Sequence, residues 1–196
     1  MLSRFRDRAS GPIRRVAQAI AWTGVSPNVL TFLGSVAGIL AALCFARGEQ
    51  FLAGIILLLS GFFDVIDGAV AGVLKRKTAF GGVLDSVVDR YVDFLIFGGI
   101  VYAFVTGGIP EAGLIPGWGW GVLAIAGSFM VSYIRARAEA AGSGKLDVGV
   151  AERAERLLIL AVGALVGYTQ HAVVLIVILT HLTVLHRLIV AWHRLG

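Results

Sequence analysis

Six apolar runs divide this chain of 196 residues: Asn28 to Ala46, Phe51 to Leu74, Gly81 to Thr106, Trp118 to Ala138, Ala154 to Thr169 and Ala172 to Ala191. Most approach the roughly 20 residues that a helix needs to cross a bilayer. With 58% apolar and only 15% charged residues, the chain has too little polar surface to cover a soluble globule. Inside lipid a backbone must satisfy its own hydrogen bonds, which an unclosed chain does as helix. The predicted fold is an all-α integral membrane protein, a six-transmembrane-helix bundle covering residues 23–196. Residues 1–22 precede it as a separate segment.

Basic residues fix the orientation, because they collect on the cytoplasmic side of membrane proteins. With the N-terminus inside, five arginines precede the first span and Lys75, Arg76 and Lys77 follow the second. Arg135, Arg137, Lys145, Arg153 and Arg156 flank the next inner loop, and Arg187 and Arg194 close the chain. Both termini are expected in the cytoplasm, with the chain multi-pass in the plasma membrane. Leu2, Phe5, Ile13, Val16 and Ile20 alternate with Arg4, Arg6, Arg8, Arg14 and Arg15, a composition that suits an amphipathic helix lying in the anionic interface, broken or kinked at Gly11-Pro12. The net charge of +5 is therefore spent on orientation, and nucleic acid is not an expected partner. Gly34 and Gly38, and Gly163 and Gly167, predict close helix packing.

Within this apolar chain stand Asp64, Asp67, Asp85 and Asp89. An ionised carboxylate at membrane depth costs at least a few kcal/mol, so four together call for positive counter-charge. Spacings of three and four put each pair on one face of its helix, where two facing helices can enclose one small volume. No Cys or His shares the cluster, and an all-oxygen set suits Mg²⁺ or Mn²⁺ rather than zinc or copper. The four histidines have no spacing that brings them there. A cation pathway would also place acids in the membrane, but these lie on one side only, with no inverted repeat.

In order the array reads Asp64-x2-Asp67-Gly68-x2-Ala71, then Gly81-x3-Asp85-x3-Asp89. It resembles the D-x2-D-G-x2-A-R-x8-G-x3-D-x3-D signature of the CDP-alcohol phosphotransferases, membrane enzymes that join a CDP-linked lipid to an alcohol and release CMP. Seven of the eight fixed positions match, and Gly72 stands where the family has Arg. That departure leaves a catalytically inactive scaffold as one alternative; Lys75 or Arg76, a helical turn on, are candidates to restore the charge. The resemblance implies two divalent ions held by Asp64, Asp67, Asp85 and Asp89, with Asp89 also the general base. It implies a nucleotide site at Asn28, Thr31, Gly68, Ala71 and Gly81.

Ser132 to Glu139 and Val150 to Arg156 are similar to segments of phosphatidylinositol-phosphate and archaetidylinositol-phosphate synthases within that family. That likeness implies inositol 1-phosphate as acceptor, its phosphate held by Ser132, Arg137, Arg153, Arg156 and Arg187. Glycerol 3-phosphate is the chief rival and serine the third. Glu139, Glu152 and Glu155 are alternative partners for the same arginines. A homodimer is expected.

Overall fold

The computed structural model describes residues 2–75, 78–111 and 115–196, and they form seven helices with no strand among them. These are α1 (Leu2–Trp22), α2 (Pro27–Ala46), α3 (Gln50–Val73), α4 (Ala79–Thr106), α5 (Gly117–Ala140), α6 (Arg153–Leu165) and α7 (Thr169–Leu195). Each expected apolar run overlaps one of α2 to α7, although the fifth, Ala154 to Thr169, outlasts α6, which ends at Leu165. Helices α2, α3, α5 and α7 are long and apolar enough to cross a membrane. Two depart from that standard: α4 carries Asp85, Asp89 and Arg90 in its first half and Asp93 at its middle, and α6 has 13 residues.

Local chemistry sets the helix ends. Pro27 opens α2, where its missing N–H is no loss. Thr78 caps α4, its Oγ1 accepting from Gly81 N at 3.0 Å. Glu152 N donates to Glu155 Oε2 at 3.0 Å across the first turn of α6. Helix α1 runs unbroken through Gly11-Pro12, contrary to the expected break. Ile13, Ala17 and Ile20 pack with Leu30, Ile66 and Val70, and that burial opposes the cost of an interior proline, about 3 kcal/mol.

The main core joins α2, α3, α4, α6 and α7 through Phe45, Leu57, Ile96, Phe97, Ile100, Leu160 and Ile176. Outward faces present Phe32, Phe51, Tyr102, Leu182 and Trp192, an apolar exterior suited to lipid. Small residues let the helices approach. A Cβ on Gly38 would meet Val92 Cγ1, one on Gly163 would meet Ala172 Cβ, and Gly34 abuts Phe63. Gly167 differs from the packing expectation: at φ +75° with open space around it, it turns the chain between α6 and α7. Among the tightest approaches, Gly99 of α4 sits against the carbonyl oxygen of Ala42 on α2. Gly99→Ala is therefore expected to cost about 1–3 kcal/mol and lower the melting temperature in detergent. Gly98→Ala, facing open space, is the control that leaves it unchanged.

Candidate active site

The α2–α3 and α2–α4 contacts bring the acid-bearing ends of α3 and α4 side by side. Asp64, Asp67 and Asp85 each offer a carboxylate oxygen, and these lie within 4.8 Å of one another. The donors are all oxygen, with no His or Cys in the group, so the set is able to hold a hard divalent cation. Asp67 is buried and accepts a hydrogen bond from Thr31 Oγ1 at 2.6 Å, which orients that carboxylate from α2. Asn28 is exposed on the first turn of α2. Gly68 leaves open space where a Cβ would stand, while Gly81 lies against the Thr78 cap, so small residues border the acids on both helices.

Asp89 stands one turn beyond Asp85, and Arg153 ties it to the cluster. Arg153 Nη1 lies 2.9 Å from Asp64 Oδ1 and 3.0 Å from Asp89 Oδ1, and its Nε donates to Asp93 Oδ1 at 3.1 Å. Arg156 Nη2 donates to Asp93 Oδ2 at 2.8 Å, and Arg90 Nη2 lies 3.7 Å from Asp89. Five carboxylates thus face three guanidiniums, and the excess negative charge falls on the three-acid group.

Beside the acids a cleft of about 1210 Å³ opens between α4, α5, α6 and α7. Ser132, Arg153, Arg156 and Arg187 line it, together with Arg90 and Arg135. Arg90 Nη1 donates to Ser132 Oγ, joining α4 to α5. Arg187 is 2% exposed, its Nε and Nη1 donating to Val148 O at 2.8 Å and Val131 O at 2.6 Å. Its Nη2 is buried with no hydrogen-bond partner among the described residues. A buried guanidinium edge left unsatisfied beside a cleft is a ready anion contact. Arg137 is exposed on α5 and is not part of this lining; Arg135, two residues earlier, is.

Of the glutamates considered as alternative partners, only Glu152 reaches one of the arginines expected to hold the phosphate, Arg187. Glu139 accepts from Arg135 at 3.2 Å, Glu152 lies 3.9 Å from both Arg135 and Arg187, and Glu155 serves the α6 cap instead. Asp93, which is not among the four acids of the motif, proves to be the buried partner of Arg153 and Arg156. Its spacing of four from Asp89 was the available signal, since such residues share a helix face. Lys75 is exposed at φ +53° just after α3, and Arg76 lies outside the described residues.

Residues 24–192 match the model of the CDP-alcohol phosphatidyltransferase family. The archaetidylinositol phosphate synthase of Pyrococcus horikoshii is 40% identical over 195 residues, covering 100% of this chain and 98% of its own. The crystal structure of Mycobacterium tuberculosis phosphatidylinositol phosphate synthase with CDP-DAG bound superposes with a TM-score of 0.78 at 31% identity, covering 94% of this chain and 95% of that one. The same synthase with manganese and citrate gives a TM-score of 0.80 at 30% identity, over 94% and 90% of the two chains. Matched in sequence and in fold over nearly its whole length, this chain belongs to the CDP-alcohol phosphatidyltransferases, membrane-integral transferases of substituted phosphate groups.

Proposed function

We propose that this enzyme transfers a phosphatidyl-type group from a CDP-linked lipid to inositol 1-phosphate and releases CMP. The observation that carries the acceptor is the cleft beside the acids, where Ser132, Arg153, Arg156 and Arg187 converge and Arg187 Nη2 is buried without a hydrogen bond among the described residues, the Glu152 carboxylate lying 3.9 Å away. Guanidinium groups match phosphate oxygens in geometry and charge, a match that an uncharged alcohol does not offer. The identity to an archaetidylinositol phosphate synthase supports the same acceptor.

Asp64, Asp67 and Asp85, with Asp89 beside them, would hold Mg²⁺ or Mn²⁺, two ions in all. When bound, the ions supply charge neutralisation for the donor's diphosphate and the departing CMP. Asn28, Thr31, Gly68, Ala71 and Gly81 bound the space for the cytidine nucleotide, the small residues admitting it close to the helix backbone. Arg153, Arg156 and Arg187 seat the acceptor phosphate, which fixes where its hydroxyl falls. Asp89 takes the hydroxyl proton as that oxygen bonds to the lipid-linked phosphorus, the bond from phosphorus to the CMP oxygen breaks, and CMP leaves with the electron pair. Arg153 and Arg90 hold Asp89 from two sides, which keeps the carboxylate aimed during transfer.

In the bilayer, α2 to α7 form six spans with both termini cytoplasmic in the plasma membrane. Helix α1 lies in the interface as an amphipathic segment, residues 1–22, ahead of a catalytic domain of residues 23–196. Two chains pair as a homodimer.

The test is CMP release by the purified protein with Mg²⁺ and a CDP-linked lipid, comparing inositol 1-phosphate, glycerol 3-phosphate and serine. Release with inositol 1-phosphate alone is expected. Release with glycerol 3-phosphate or serine instead would overturn the acceptor. Activity appearing with no acceptor until Gly72→Arg is introduced would assign the native chain to an inactive scaffold.

A further inference from the structure

We propose that Asp93 is a positioning residue that sets the acceptor-phosphate site by holding Arg153 and Arg156 in their cleft-facing poses; this rests on the phosphate-acceptor reading above. Asp93 is 2% exposed and does not itself line the cleft. Each of its oxygens serves a different guanidinium: Oδ1 accepts from Arg153 Nε at 3.1 Å and Oδ2 from Arg156 Nη2 at 2.8 Å. A third, Arg90 Nε, lies 4.0 Å away. All three arginines line the cleft, so one buried carboxylate fixes two of its cations and lies near a third.

The opposite edges of those arginines show what the arrangement governs. Arg156 Nη1 is pinned on Ala151 O at 2.8 Å, which leaves its plane fully determined by Asp93 and the start of α6. Arg153 Nη1 approaches Asp64 and Asp89 closely, yet it makes no aligned hydrogen bond among the described residues. Only its Nε bond to Asp93 is directed. Without that bond Arg153 is free to turn wholly onto the excess negative charge of the acids and away from the cleft.

A purely structural role for Asp93, as an ionic tie between α4 and α6, is the weaker account. Ile96 and Phe97 of α4 already share the apolar core with Leu157 and Leu160 of α6, a turn away. Buried ion pairs contribute little net stability compared with well-packed apolar residues, whereas they do fix geometry. An anion placed solely for charge balance would also have no reason to divide its two oxygens between two arginines of one helix.

The test compares Asp93→Asn and Asp93→Glu with the native chain. Asn keeps the size but offers one acceptor and turns an N–H₂ toward a guanidinium, so one arginine loses its directed partner. Losing one charge-assisted bond predicts a rise of about tenfold or more in KM for the acceptor phosphate. The KM for the CDP-linked lipid should stay within about threefold, so the loss is one of acceptor binding. Inorganic phosphate, used as a competitive inhibitor and in direct equilibrium binding, should weaken by the same factor as the acceptor. Asp93→Glu should recover part of the loss.

Three results would overturn the proposal: an unchanged acceptor KM; a fall in kcat, both KM values and melting temperature together; or phosphate binding that tightens because a negative charge has gone. Should glycerol 3-phosphate prove to be the acceptor, the reading of inositol 1-phosphate fails while the Asp93 comparison runs unchanged on that phosphate. Should the native chain turn over none of the acceptors, direct binding of inorganic phosphate still separates the variants.

Discussion

Asp89→Asn is expected to cut CMP release at saturating substrate by about 10²–10⁴-fold, the range for loss of a positioned general base. The substitution preserves size, and its carbonyl oxygen can still accept from Arg153, which lies 3.0 Å from the native carboxylate. Lost activity would therefore reflect proton transfer rather than collapse of the site. Asp64, Asp67 and Asp85 converge without help from Asp89, so Mn²⁺ binding should survive in the variant. That combination, bound metal with little chemistry, separates a base from an essential ligand. A loss below tenfold would remove Asp89 from the base role. Disappearance of Mn²⁺ binding would make it chiefly a ligand.

The acids were legible in the sequence because helix geometry is local. Spacings of three and four put Asp64 with Asp67 and Asp85 with Asp89, and the folded chain brings three of the four within 4.8 Å. What spans helices was harder to read. Arg153 was expected to serve the acceptor, and it lines the cleft, yet it also lies against Asp64 and Asp89. No local pattern reports that, because the approach of α6 to α3 and α4 is set by packing between parts of the chain far apart in sequence.

Arg135 and Arg137 show the opposite case. Two residues apart on a helix are separated by about 200° of rotation, so both cannot face one cleft. Arg135 faces it and Arg137 is exposed. The spacing says that at most one of the two faces the cleft, but only the position of α7 and its neighbours decides which. The α4 helix makes a related point. Its charged first half falls short of the apolarity expected of a span, and those same residues are the ones the site requires.

The second large effect is expected at the metal site, with Asp85→Asn. Asp85 is a better choice than Asp67, whose carboxylate also accepts a bond from Thr31 that the substitution would weaken. Losing even a partner behind a metal ligand costs about 10–100-fold in affinity, so removing one of three ligands should exceed that and abolish CMP release. Stability should move the other way. Three carboxylates held within 4.8 Å repel one another, and neutralising one relieves the repulsion. In chelator the variant should therefore melt at or above the native temperature, whereas Mn²⁺ should raise the melting point of the native chain only, as binding to the folded state requires. The two readouts exclude a structural explanation for lost activity, because a damaged fold would melt lower in chelator. If Asp85→Asn keeps the Mn²⁺-dependent rise, the three-acid group is not the metal site, and the acids would have to earn their place in the membrane through Arg153 alone.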